Sequence, residues 1–305
     1  MPQTLPNPLV QVSVADRAGT ANRTFDTPVL LRLWHLTSLD APTVAIVWSL
    51  AFASAAGVRL PVWIPILLAL AAWAVYIVDR VLDARTALRT ANLGSLRERR
   101  RFHHRHRRVL VPVAIAAACG AAWIVFALMP SAARERNAVL ALAALAYFAR
   151  VHSPRKLASG FTRLSRLLNK EMLVGLLFTA ACVLPAIGRA ANRTSRPLWP
   201  MCDAAVVFAL LAWLNCHAID RWEACEQAPG KSRIMLPACL LAVTGLLLAA
   251  FLSSTQPRPA ALIATGAVSA LLLALLDCLR SRLTPLAVRA SADLVLLAPM
   301  ALLFR

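Results

Sequence analysis

Ile234–Cys278 reads IMLPACLLAVTGLLLAAFLSSTQPRPAALIATGAVSALLLALLDC, and across this stretch only Arg258 and Asp277 are charged. Two apolar runs flank a short polar hinge, S-S-T-Q-P-R-P. At about 1.5 Å of rise per residue, a helical run of about 20 residues matches the hydrocarbon thickness of a bilayer. The same pattern recurs along the chain, at 40–58, 61–83, 109–129, 136–150, 170–188, 199–220, 234–254, 259–278 and 286–304. The expectation is an all-α polytopic membrane protein with nine transmembrane helices. Composition agrees, since 59% of the 305 residues are hydrophobic and mean hydropathy is +0.65, more apolar surface than a soluble domain of this size can hide. The segment 136–150 is the shortest, with Arg136 and Arg150 placed to snorkel from its ends.

Charge is sparse but one-sided. Lys and Arg number 33 against 14 Asp and Glu, a formal charge of +19. The basic residues sit in short connections between apolar runs, so they read as topology signals and phosphate contacts, and a nucleic-acid partner is not expected. With nine crossings, 25 of the 33 basic residues fall on one side. The positive-inside rule then puts the amino terminus in the cytoplasm and Arg305 outside, with a bacterial inner membrane as the expected location. Residues 1–28 lack a sustained apolar core and read as a disordered cytoplasmic tail, and 29–305 as a single helical membrane domain. The seven cysteines have no zinc spacing and read as packed free thiols.

Two junctions carry acid at a membrane helix end. The first is W-A-V-Y-I-V-D-R-V-L-D-A-R, where Asp79 and Asp83 are four residues apart and Tyr76 precedes Asp79 by three, so all three share one helical face. Two carboxylates at a hydrocarbon boundary need a cation. Arg80 and Arg85 offer a local ion-pair network; alternatively, the pair holds Mg²⁺ together with a substrate phosphate, because Mg²⁺ favours one or two carboxylates plus phosphate oxygens. The second is L-N-C-H-A-I-D-R-W-E-A-C-E, where His217, Asp220 and Glu223 are spaced by three and Asn215 returns to nearly the face of Glu223. Its alternative is local pairing of Glu223 and Glu226 with Arg221, Lys231 or Arg233. The two junctions suggest two halves presenting acidic helix ends to one shared cavity.

After the first junction, R-E-R-R-R-F-H-H-R-H-R-R supplies Arg97, Arg99, Arg100, Arg101, Arg105, Arg107 and Arg108. Read as a loop of about 25 residues, the connection is a topology determinant that touches anionic lipid, and its guanidinium forks also suit a diphosphate. Lys170 and Glu171 open the fifth span, the lysine able to face a phosphate and the glutamate suited to the helix dipole. Arg289 and Asp293, four apart, are expected to neutralise one another, and Asp203 and Asp277 to reach the interface.

The layout resembles the UbiA superfamily of intramembrane prenyltransferases, nine-helix bundles with aspartate-rich motifs after helices two and six. The family's first motif is N-D-x-x-D-x-x-x-D. Its last two aspartates fall on Asp79 and Asp83, with Val75 and Tyr76 at the Asn and Asp positions. In the second motif Asn215 fits the start, Cys216 and Ile219 stand for aspartates, Glu223 takes the last place, and Asp220 is one residue out of register. The family's Tyr-x-x-x-Lys signature has a counterpart in Y-F-A-R-V-H-S-P-R-K, with Tyr147 present, Val151 at the lysine position, and Arg150, Arg155 or Lys156 as substitutes.

What the resemblance implies is Mg²⁺-dependent transfer of an isoprenyl group from its diphosphate to a lipid-soluble, aromatic acceptor. Asp79 and Asp83 would hold one Mg²⁺, and Asp220 with Glu223 another. Arg80, Arg97, Arg101, Arg105, Lys156 and Lys170 would bind the diphosphate, and Asn215 the substrate. Tyr76 would stabilise the allylic cation through its ring face in a dry cavity. Two other classes compete: a catalytically lapsed relative that binds isoprenoid or lipid or serves as a scaffold, and a transporter with two acidic half-sites.

Overall fold

The computed structural model describes residues 28–88, 98–152, 170–191, 198–227 and 232–304; the amino-terminal segment 1–27, read above as a disordered tail, lies outside the described residues. The helices are α1 (Val29–Leu36), α2 (Asp40–Ala55), α3 (Trp63–Leu88), α4 (Glu98–Ala127), α5 (Ser131–His152), α6 (Lys170–Ala191), α7 (Trp199–Gln227), α8 (Met235–Leu252), α9 (Pro257–Leu279) and α10 (Pro285–Val295). Short 3-10 turns follow at Arg280–Arg282 and Ala298–Leu302. All nine apolar segments of the sequence are helical, and no strand occurs among the described residues.

Seven helices are long and apolar enough to cross a membrane, and α1 with α2, bent by 89°, adds an eighth as one broken span. This is fewer than the nine expected. The shortfall is α5, whose first two turns hold Arg134, Glu135 and Arg136 and leave too short an apolar run. A second difference concerns the arginine-rich connection. Residues 98–108 are not a loop; they form the first three turns of α4, whose apolar part begins at Val109. Arg and His are compatible with helix, and nothing between Glu98 and Val109 breaks it.

The outward faces are those of a protein in lipid. Along α8, Leu236, Leu240, Val243, Leu247 and Phe251 are exposed at helical spacing, and α4 turns out Trp123 and Phe126. Where helices approach most closely, small residues fill the inside. Gly175 of α6 lies against the backbone of α7, where an added Cβ would stand 2.9 Å from Trp213 N, and Gly245 of α8 meets Ala267 of α9. Lipid provides little hydrophobic drive between helices, so close backbone approach and interhelical hydrogen bonds carry the packing. At the centre, Trp48 of α2 stacks on Phe208 of α7 with ring centroids 3.7 Å apart, and its indole N–H donates to Leu296 O at 2.8 Å. Helix α2 is the hub, packing on α3, α6, α9 and α10.

The α1–α2 bend sets the geometry of the site. Ser38 takes a left-handed φ of 57° there, and its hydroxyl lies 3.2 Å from His103 Nε2 of α4. His103 Nδ1 lies 2.9 Å from the Arg99 carbonyl, which can only accept, so the Nδ1–H tautomer donates there and Nε2 accepts from Ser38. Trp73 Nε1 of α3 donates to Thr37 O at 2.9 Å, and Arg32 Nε of α1 donates to Glu98 Oε1 at 2.8 Å.

Candidate functional site

On α3, the tyrosine-aspartate face is half-buried: Tyr76, Asp79 and Asp83 lie along one side of the helix, as the spacing predicts. Arg80 places its guanidinium 5.4 Å above the Tyr76 ring. One ring face is therefore already occupied by a cation. Asp83 borders a narrow gap, too tight for water, with Arg80, Arg99, Arg100 and His103, so the first turns of α4 bring Arg99, Arg100 and His103 to the acidic end of α3. The Nε atoms of Arg80 and Arg99 are buried without a hydrogen-bond partner. Arg101 and Arg105 are exposed and do not line this gap. Arg97 and Lys156 lie outside the described residues, as does the side chain of Lys170, the first residue of α6.

The second acidic face is on α7. Cys216 and Asp220 are one turn apart, and the Cys216 thiol is within electrostatic reach of Asp220, of Arg80 on α3, of Glu171 in the first turn of α6 and of Asp293 on α10. The Tyr147 hydroxyl of α5 is within electrostatic range of Asp79, Asp83, Glu171 and Cys216. Both acidic helix ends thus share surroundings through these two side chains. Glu223 forms an ion pair with Arg289 of α10. This partner comes from a distant part of the sequence, which no helical spacing reveals; of the local alternatives Arg221, Lys231 and Arg233, Lys231 lies outside the described residues.

That pair corrects the reading of α10. Arg289 and Asp293 do not neutralise one another; Arg289 turns to Glu223, and Asp293 turns to His35 and Asn215. Each finds a closer opposite charge or donor on a neighbouring helix than on its own. Asp277, at the end of α9, accepts from Trp222 Nε1 at 2.7 Å, Ser232 Oγ at 2.6 Å and Met235 N at 3.1 Å, capping the start of α8, and lies 3.7 Å from Arg280 Nε.

Asn215, expected to contact substrate, is 4% exposed and donates from Nδ2 to Asp293 Oδ1 at 3.2 Å, with its Oδ1 unpartnered. The group it joins went unpredicted. His35 Nδ1 lies 2.9 Å from Asp40 Oδ2 and 3.4 Å from Asp293 Oδ2. A ligand atom from each of these three residues lies within 4.8 Å of the other two, the one such His/Cys/Asp/Glu group among the described residues. A lone His and a lone Asp at the start of a span carry no motif, and only the 89° bend brings them together. Searches against family models, curated proteins and solved structures gave no match to this chain.

Proposed function

We propose that the chain is a membrane prenyltransferase of the UbiA type, using Mg²⁺ to move an isoprenyl group from its diphosphate to a lipid-soluble, aromatic acceptor. What supports it is that the two acidic helix ends share one electrostatic environment: Tyr147 feels the charges of Asp79 and Asp83, and Cys216 those of Asp220 and Arg80. The donor set fits the ion, since Asp79 and Asp83 offer only oxygen and hard Mg²⁺ takes oxygen. Bound there with the substrate, Mg²⁺ would offset diphosphate charge.

The chain's own residues do the rest. Arg80 and Arg99, each with an unpartnered Nε beside Asp83, would donate charge-assisted hydrogen bonds to the diphosphate. The allylic C–O bond breaks with its electron pair leaving on the diphosphate; the acceptor forms the new bond to carbon and gives up a proton. The free face of Tyr76 would line the path of the cation. A second Mg²⁺ at Asp220 and Glu223 would have to displace Arg289 from Glu223, so Arg289 itself serves as a counter-charge on that side. The reading carries nine crossings, with α5 as the short one, an amino terminus in the cytoplasm and Arg305 outside, in a bacterial inner membrane.

A catalytically lapsed relative that binds isoprenoid is the second reading, and the Glu223–Arg289 pair favours it because it ties up the last acid of the second motif. The test is Mg²⁺-dependent binding of a non-hydrolysable isoprenyl diphosphate analogue to purified protein, wild type against Asp79→Asn/Asp83→Asn. Binding that needs both metal and carboxylates supports the enzyme. Binding indifferent to both sinks it.

A further inference from the structure

The group formed by His35, Asp40 and Asp293 joins three elements: the end of α1, the first residue of α2 and the last turns of α10. Its carboxylates are pre-oriented. Asp40 Oδ1 accepts from the Ala41 backbone N–H at 2.9 Å, and Asp293 Oδ1 accepts from Asn215 Nδ2 at 3.2 Å. In each, one oxygen is fixed from behind, and Oδ2 is turned toward His35 Nδ1. Ligand-orienting hydrogen bonds of this kind are what a metal site uses around its first set of ligands.

His35 is 1% exposed, and neither ring nitrogen makes an aligned hydrogen bond, although Nδ1 faces both carboxylates. A buried imidazole serving only as a hydrogen-bond donor would be expected to aim an N–H along the line to one oxygen. Here Nδ1 stands within 3.4 Å of an oxygen from each of two carboxylates. Ligands about 2.0–2.1 Å from a tetrahedral ion stand about 3.4 Å apart, and about 3.0 Å at octahedral angles. The observed 2.9 and 3.4 Å match those edges.

We propose that His35, Asp40 and Asp293 bind a first-row divalent cation of the zinc type, fastening the α1–α2 bend to α10. Imidazole with carboxylate suits Zn²⁺, whereas Mg²⁺ and Ca²⁺ prefer oxygen alone. Its ligands include neither Asp79 nor Asp83, so it stands whether or not the chain handles diphosphates. His35 Nε2 lacks an acceptor, and a missing partner of that kind costs 10- to 100-fold in affinity, on the order of that seen when such partners are mutated.

The experiment titrates Zn²⁺, and separately Co²⁺, into chelator-treated protein in detergent after cysteine alkylation. Wild type is expected to take up one Zn²⁺ per chain, to resist thermal unfolding better with it, and to give a Co²⁺ d–d spectrum free of thiolate charge transfer. Asp40→Asn and Asp293→Asn should each weaken Zn²⁺ uptake at least tenfold. Asp79→Asn/Asp83→Asn should leave it unchanged. The spectrum on wild type needs no variant to fold. No stoichiometric uptake by wild type, or equal uptake by wild type and both Asn variants, overturns the site in favour of a buried imidazolium between two carboxylates.

Discussion

Ser269→Ala tests the membrane logic of the fold at one carbonyl. Helix α10 is regular from Pro285 to Val295, and Val295 O would next accept from the N–H of residue 299. That residue is Pro299, which has none. The following carbonyl, Leu296 O, loses its helical partner as well, because Met300 N donates to Leu297 O at 2.9 Å in a 3-10 turn. Two buried acceptors are therefore orphaned where water is absent, and two side chains supply them: Ser269 Oγ of α9 donates to Val295 O at 2.7 Å and Trp48 Nε1 to Leu296 O at 2.8 Å. Ser269 is fully buried, so alanine leaves Val295 O without a partner. An orphaned buried acceptor costs about 1–3 kcal/mol, while interhelical hydrogen bonds in membranes average about 0.6 and reach about 1.7, so the expected loss is about 1–1.5 kcal/mol. Equilibrium unfolding in mixed micelles with SDS reads it. Pro299→Ala restores an N–H four residues on, and in the Ser269→Ala background it should recover half or more of the loss. A Ser269→Ala change under about 0.3 kcal/mol, or a Pro299→Ala effect equal in both backgrounds, refutes the reasoning.

Gly175→Ala should destabilise by about 1–3 kcal/mol and loosen α6 from α7 in a cross-linking assay, because the new Cβ meets Trp213 N at 2.9 Å and Ala209 O at 3.2 Å, backbone that cannot step aside. Asp277→Ala strands three donors and should cost about 3 kcal/mol in the same micelle unfolding, with Asp277→Asn intermediate. At Ser38, φ of 57° costs a non-glycine residue about 1–2 kcal/mol, so Ser38→Gly should come out near neutral by trading that strain against the His103 bond. Ser38→Ala keeps the strain, loses the bond and should unfold about 1 kcal/mol more easily.

The spans were legible because lipid imposes one rule on all of them, a run of about 20 apolar residues, and every such run became a helix. Span count was less secure where charge invades a run, as Arg134, Glu135 and Arg136 do in α5. The first three turns of α4 were misread as loop because arginine density signals topology and says nothing against helix. Periodicity placed Tyr76, Asp79 and Asp83 on one face correctly, since that is a property of a single helix. It could not place Arg289, Asp293 or Asp277, whose partners are tens to hundreds of residues away and are chosen by helix rotation. His35 and Asp40 gave no signal for the same reason: a five-residue separation across an ordinary helix would put them on different faces, and only the left-handed turn at Ser38 folds one back on the other.

The charges of α10 specify its position more than they stabilise it. Arg289 and Asp293 lie one turn apart on the same face, yet one binds α7 at Glu223 and the other reaches the α1–α2 bend as well as Asn215 on α7. Rotating α10 by one residue, about 100°, would strip both of partners at once. Removing one member of a buried pair costs about 3–5 kcal/mol, whereas replacing both by apolar residues of similar volume is often neutral. The penalty for a wrong rotation is therefore far larger than the net gain from the right one. A uniformly apolar helix face would tolerate slippage at little cost. Placing two opposite charges on α10, each answered by a different element, removes that freedom where α10 packs on α1 and α7.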